Sequence, residues 1–280
     1  MARILEYTEA AGKRGADLVI IPETALTGYD DDPQTEFGNK MHVRLAEPIP
    51  GPSTISVAEI AKKYGMFVVF GMVECLPDDL LTCYNSAAII RPDGTCSSYR
   101  KMHLPYFLKE TEWGKRGNEP GIIDTPWGPI GICICWETYL YPEMLRYYRA
   151  KGCRMVINIT ATPAWQAPMT AAQTVPVHCF IYSMYIATAG LCGLSKETKF
   201  YGGSSVIGPD LGGKGAITYI GKAAGTPGSD EAAMFIGTVD LSIADKYNQF
   251  PVCEYCEPIK SAHYRPELYT KWFKELSEDV

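Results

Sequence analysis

Histidine is scarce in this chain, with four in 280 residues. None accompanies a Cys-His protease signature, so a nucleophile here would need a different base. Positive charge is also in deficit: 26 Lys and Arg against 32 Asp and Glu leave a net charge of −6. That argues against nucleic acid or an anionic membrane surface as the main partner. No apolar run approaches the roughly 20 residues of a membrane span. The opening "MARILEYTEAAGKRGADLVIIPE" lacks the charged-then-apolar order and cleavage site of a signal peptide. It reads instead as an amphipathic helix running into a strand. Internal repeats, low-complexity stretches and linker-like boundaries are absent too, so residues 1–280 are expected to form a single domain.

Cysteine, by contrast, is plentiful at ten residues. Without a secretory signal, that count implies free thiols in a reducing compartment, and a cytoplasmic location is expected. A composition of 46% hydrophobic and 21% charged residues excludes wholesale disorder.

Helix and strand signals alternate, as in α/β folds. A first helix carries Ile4, Leu5, Tyr7, Thr8 and Ala11 on one face and ends by Gly15. The strand "DLVIIPE" follows, then the helix "TISVAEIAKKYG" and the strand "MFVVFGMVE". "YNSAAIIRPDGTCSSYRK" reads as a hairpin with Pro-Asp-Gly in its turn. "PIGICICWE" is a buried strand, "PEMLRYYRAKG" a helix with Pro in its first turn, and "CRMVINITA" another strand. Further on, "TAAQTVPVHCFIYSMYIATAGLCG" reads as helix then strand, "GSSVIGPDLGGKGAITYIG" as a hairpin-like pair, and "AAMFIGTVDLS" as a strand. A loop-rich segment leads to a short terminal helix. Runs such as "LVII" and "MVINI" show no alternation, so their sheets should be covered on both faces.

Active groups in α/β sheets collect beyond the carboxyl ends of strands. Glu23, Lys101 and Cys135 meet that criterion, and Glu110 lies in the loop "FLKETEWGKRGNEPG". A free thiol is only a few per cent ionised at neutral pH and needs a base or a cation. Glu23 could take its proton. Lys101 could stabilise the thiolate and an oxyanion, with the Trp136 backbone N–H as a second donor. Each of these residues also has a plain structural reading, Cys as a small packed hydrophobe and Glu or Lys as a solvated charge. Cys133 is taken as core, turned away from Cys135 by strand alternation, and His103 as a packing residue behind the site. "CEYC" at 253–256 has the spacing of half a zinc site but no matching second pair, so a structural role is expected.

The motifs "IPETALTGY", "YRKMHLPYF" and "ICWETYLYPEMLR", in that order, resemble the nitrilase superfamily of carbon–nitrogen hydrolases. "YNSAAII", "FYGGSSVIGPDLGG", "TVDLS" and "YRPELY" extend the likeness along nearly the whole chain. The resemblance implies a four-layer α-β-β-α sandwich and a Glu-Lys-Cys triad of Glu23, Lys101 and Cys135. A second glutamate falls on Glu110, with Glu112 as the fallback. It also implies a thioester intermediate and no metal or cofactor.

Two departures stand out. The family's usual first strand has no counterpart before the first helix, which would leave neighbouring backbone groups unpaired. "HCFIYSMYIATAGLCG" replaces the family's usual Arg-Ala-x-Glu-Asn pattern. "Cys-Trp-Glu" resembles true nitrilases, whereas "YPEMLRYYRAKG" resembles the amidase and carbamoyl-hydrolase branches. After the cysteine, "ETYLYPE" offers no arginine before Arg146 to hold a substrate carboxylate. Trp136, Tyr139, Tyr141 and Trp165 suggest an aromatic-walled pocket, with Tyr106 beside the lysine motif as a further candidate. The expected substrate is a small amide, with carbamoyl compounds and nitriles as alternatives. A non-catalytic scaffold is the alternative of a different class.

Family members commonly pair through outer helices, and a two-fold dimer or higher homo-oligomer is expected here. Light scattering should return at least twice the monomer mass of 30.9 kDa. The monomer mass at every concentration would refute this expectation.

Overall fold

Apolar runs without alternation form the centres of two sheets. The structure is a computed structural model that describes residues 1–29, 34–106, 109–195, 197–247 and 266–278. Helix α1 (Ala2–Lys13) buries Ile4, Thr8 and Ala11 and leads into β1 (Leu18–Ile21). A short α2 (Met41–Arg44) precedes α3 (Pro52–Tyr64), which starts on Pro at N1 and stops at Gly65 in the left-handed region. Strands β2 (Phe67–Leu76) and β3 (Asp79–Ile90) form a long antiparallel hairpin, and β4 (Cys96–Arg100) pairs back on β3. The order is β1-β2-β3-β4, with β5 (Gly114–Lys115) also on β3. Helices α1 and α3 cover one face through Ile4, Ala11, Val57 and Ala61.

The second sheet begins with β6 (Gly121–Ile123) and β7 (Ile130–Ile134). Helices α4 (Trp136–Leu140) and α5 (Pro142–Ala150) follow, then β8 (Met155–Thr160), α6 (Ala171–Tyr182) and β9 (Tyr185–Gly190). Strands β10 (Cys192–Ser195) and β11 (Thr198–Tyr201) make a separate hairpin. β12 (Ser205–Asp210) and β13 (Gly215–Gly221) complete the sheet, ordered β13-β12-β9-β8-β7-β6. Helices α7 (Ser242–Tyr247) and α8 (Pro266–Glu278) come last.

One core cluster joins Val69, Ala87 and Ile89 of the first sheet to Ile132 and Ile157 of the second, and on to Leu145, Val175 and Cys179 of α5 and α6. The layers are therefore helix, sheet, sheet, helix, as expected from the sequence. Strands β7, β8 and nearly all of β2 are buried at every position, which is why they showed no alternation.

Two expectations need correction. Residues 232–242, read as the strand "AAMFIGTVDLS", join no ladder among the described residues. A strand is defined by a ladder of backbone hydrogen bonds, and among the described residues this segment packs beside its neighbours without forming one. Among the described residues β1 pairs with β2 alone and forms the edge of its sheet. The second correction concerns the two sulfurs. Residues two apart on a strand share a face, so alternation does not separate Cys133 from Cys135. Cys135 leaves the strand at φ 54° and ψ −107°, and that turn separates them. The "CEYC" motif lies outside the described residues.

Cys133 is fully buried in the core cluster. Cys133→Ala should lower stability by about 1 kcal/mol, the scale of a small buried truncation. Urea denaturation checks this, and a loss of chemistry equal to that of Cys135→Ala in a folded protein would mean the sulfurs are wrongly assigned.

Candidate active site

Three sequence-distant segments deliver charge to one buried point. Glu23 sits just past β1, Lys101 just past β4, and Glu110 in a 3-10 turn before β5. All three side chains have no solvent exposure. Lys101 Nζ donates to Glu23 Oε1 at 2.8 Å and to Glu110 Oε2 at 2.9 Å. Burial works against the lysine charge, but the Glu110 and Glu23 carboxylates outweigh it and hold Lys101 firmly protonated. Burial also pushes the Glu110 carboxyl upward, opposed by Lys101 and reinforced by the Glu23 charge.

The carboxylates are held by further donors. Asn85 Nδ2 donates to Glu23 Oε1 at 2.8 Å and to Glu110 Oε1 at 2.7 Å. Tyr29 OH donates to Glu110 Oε2 at 2.7 Å, and the Ala161 N–H of the second sheet donates to Glu23 Oε2 at 2.6 Å. Gly71 of β2 passes so close to the Glu23 turn that a Cβ there would lie 2.4 Å from Glu23 Cα. Only glycine leaves room for that carboxylate.

Cys135 stands at the junction of β7 and α4, 6% exposed. Its positive φ is matched at Thr24 (46°) and Lys109 (55°), the neighbours of Glu23 and Glu110. Non-glycine residues avoid this region, so strain collects at Cys135 and beside Glu23 and Glu110. Burial, then the Glu23 charge, push the Cys135 thiol up to about 12, with Lys101, Thr160 and Thr162 pulling the other way. The resting sulfur is a thiol.

Glu137, the acid of Cys-Trp-Glu, ties this turn to the lysine segment. Its carboxylate accepts from Tyr99 OH at 2.8 Å and from the Met102 and Ile134 N–H groups at 2.8 and 2.9 Å. His103 stacks on Tyr141 at 3.7 Å, the packing role read from the sequence.

The other candidates are dispersed. Glu112 is partly exposed and meets Lys40 at 3.4 Å rather than Lys101. Trp136 is half-buried, with Nε1 donating to Tyr141 OH at 3.2 Å. Tyr139 is buried near Cys135, whereas Tyr106 and Trp165 are surface residues, 86% and 63% exposed. Asn85, Tyr29, Thr160 and Thr162 were missed as site residues. The available signal was a polar residue inside an apolar run, as in "YNSAAII" and "MVINIT", because a buried polar group needs partners. Among the described residues no cluster of His, Cys, Asp or Glu could hold a metal ion, and no helix is long and apolar enough to cross a membrane.

A thiol, an ammonium and two carboxylates are thus gathered at the strand ends of an α-β-β-α sandwich. Residues 1–218 match the family model described as carbon-nitrogen hydrolase. The chain belongs to that family and is a carbon–nitrogen hydrolase. It is 30% identical over 261 residues to omega-amidase NIT2 of Danio rerio, covering 87% of this chain and 83% of that protein. It is also 30% identical over 204 residues to a nitrilase of Pyrococcus abyssi, covering 71% of each. Among solved structures, Nit3 of Saccharomyces cerevisiae superposes with a TM-score of 0.74 at 21% identity, covering 90% of this chain and 88% of that one.

Asn85 donates to two like charges at once, so removing it should cost more than one ordinary hydrogen bond. Asn85→Leu should lose about 2 kcal/mol or more in chemical denaturation at neutral pH. A change below about 0.5 kcal/mol would mean that the carboxylates do not need it.

Proposed function

We propose that this chain hydrolyses the C–N bond of a small amide through a thioester on Cys135. The observation that carries the reading is Lys101, wholly buried between Glu23 and Glu110 beside a thiol on a strained turn. Cys135 Sγ attacks the carbonyl carbon while Glu23 takes the thiol proton. The tetrahedral oxyanion is met by the Lys101 ammonium and by the Trp136 N–H at the start of α4. Collapse breaks the C–N bond, Glu23 returns its proton to the departing nitrogen, and ammonia or an amine leaves. Water activated by Glu23 then cleaves the thioester and restores the thiol. Glu110 orients Lys101 throughout.

The resting protonation supports the role given to Glu23. Lys101 and the two carboxylates already sum to one negative charge, so a free thiolate would add a second in a dry pocket. The proton therefore leaves as the carbon–sulfur bond forms. Omega-amidase relatives aligned over most of the chain favour amides. The "Cys-Trp-Glu" motif and the nitrilase relative keep nitriles as competitors, and carbamoyl compounds are the third class. Tyr139, buried and electrostatically coupled to Cys135, is the aromatic candidate for contact with substrate. The working unit is a homo-oligomer in the cytoplasm.

An ammonia-release screen across amides, carbamoyl compounds and nitriles tests the reading. Cys135→Ala should abolish release in a folded protein, and wild-type-like release would sink the assignment. Lys101→Arg should lose on the order of 10²-fold in kcat, because the longer planar fork does not fit the ammonium's pocket. Glu23→Gln should lose more than Glu110→Gln, since only Glu23 moves protons. A Lys101→Arg enzyme within about threefold of wild type would reduce Lys101 to a structural charge.

A further inference from the structure

Behind Cys135 lies a set of buried hydroxyls that the mechanism above does not use. Thr162 Oγ1 is 3.6 Å from Cys135 Sγ, within hydrogen-bond reach of a sulfur. Thr160 Oγ1 is 2.7 Å from Thr162 Oγ1, and Tyr139 OH donates to Thr160 Oγ1 at 3.1 Å. Thr162 Oγ1 also stands 3.3 Å from Tyr139 OH, which closes a ring of three hydroxyls. Asn158 Nδ2 donates into that ring at Tyr139 OH, 3.3 Å away, and Thr138 Oγ1 donates to the Asn158 Oδ1 at 2.9 Å. Thr160, Thr162, Tyr139, Asn158 and Thr138 are all buried. They come from β8, α4 and the loop after β8, whereas Lys101 comes from the first sheet.

Proton counting gives this ring a direction. With Thr138 on Oδ1, the Asn158 amide presents its N–H to the Tyr139 oxygen and occupies a lone pair there. Tyr139 then donates to Thr160, and in the arrangement that leaves Thr162 free to face the sulfur, Thr160, having accepted that hydrogen bond, donates its own O–H to Thr162 across 2.7 Å. Thr162 has one proton left and two acceptors within reach, the phenol oxygen and the sulfur. When the sulfur gains negative charge it becomes the better acceptor, and charge-assisted donors are about twice as strong as neutral ones. Because these side chains are buried, their dipoles are only weakly screened.

We infer that the Tyr139–Thr160–Thr162 ring is a positioning device for the nucleophile, which delivers one polarised O–H to Cys135 Sγ as charge develops on it. This rests on the reading of Cys135 as the nucleophile. It gives Tyr139 a part in sulfur activation rather than only in lining a pocket. Lys101 and the ring thereby stabilise the sulfur in two ways, one by charge and one by oriented neutral dipoles.

The test follows the rate of Cys135 alkylation by iodoacetamide against pH, read by peptide mass spectrometry on folded protein. Thr162→Val keeps the shape and removes the hydroxyl. It should slow labelling at pH 8 on the order of tenfold and move the pH midpoint upward, as expected for losing a charge-assisted donor. Thr162→Ser, which restores the hydroxyl, should stay within about threefold of wild type. Tyr139→Phe, which removes the donor to Thr160, should slow labelling by less than Thr162→Val. An unchanged pH profile in Thr162→Val, or equal slowing in Thr162→Ser and Thr162→Val, would overturn the inference while leaving Cys135 as nucleophile. Wild-type protein in which Cys135 never labels would remove the nucleophile assignment and the inference together.

Discussion

The ammonium of Lys101 has no contact with water, and the surrounding architecture follows from keeping that charge paired. Moving an ion into a protein interior costs several kcal/mol unless partners and hydrogen bonds are arranged in advance. Here the partners are Glu23 and Glu110, themselves braced by Asn85, Tyr29 and the Ala161 N–H. Lys101 and Glu23 are 78 positions apart, and Asn85 and Glu23 are 62 apart. The charges can be neutralised only after the strands have assembled, so the site and the sheet packing form together. Ala161 also carries the arrangement across to the second sheet, which makes Glu23 a link between the two halves of the sandwich.

Strain and hydrogen bonding divide the rest of the work. The left-handed conformations lie at Cys135 itself and, through Thr24 and Lys109, beside Glu23 and Glu110, and each is the kind of cost that packing elsewhere must offset. At Cys135 the offset is visible. Glu137 gathers donors from the strand before the sulfur and from the segment after Lys101, so the turn carrying Cys135 and the end of the lysine strand are held as one piece. The acid of Cys-Trp-Glu therefore acts through geometry, at a distance from the reacting atoms. The sulfur itself is served from both sheets, with full charge on one side of the bargain and a ring of neutral hydroxyls on the other.

Much of this was legible in the sequence, for identifiable reasons. Helices α1, α3 and α5 announced themselves through apolar spacing, N-terminal proline and terminal glycine, which act within a few residues. Unbroken apolar runs marked β2, β7 and β8 as covered on both faces. Glu23, Lys101 and Cys135 could be picked out as groups that come together because each lies at a strand end within a short motif.

What tertiary structure alone decided were matters of partnership. The choice of Glu110 over Glu112 depends on which carboxylate a 3-10 turn points at Lys101, and two residues of spacing do not reveal it. The separation of Cys133 from Cys135 depends on one backbone turn outside the strand. Asn85, Thr160 and Thr162 look like ordinary strand polar residues until the second sheet is laid against the first. Residues 232–242 have the local marks of a strand and form none among the described residues. Local chemistry can say what a segment is suited to become, but a hydrogen-bond ladder and a buried charge both require a partner that arrives only with the fold.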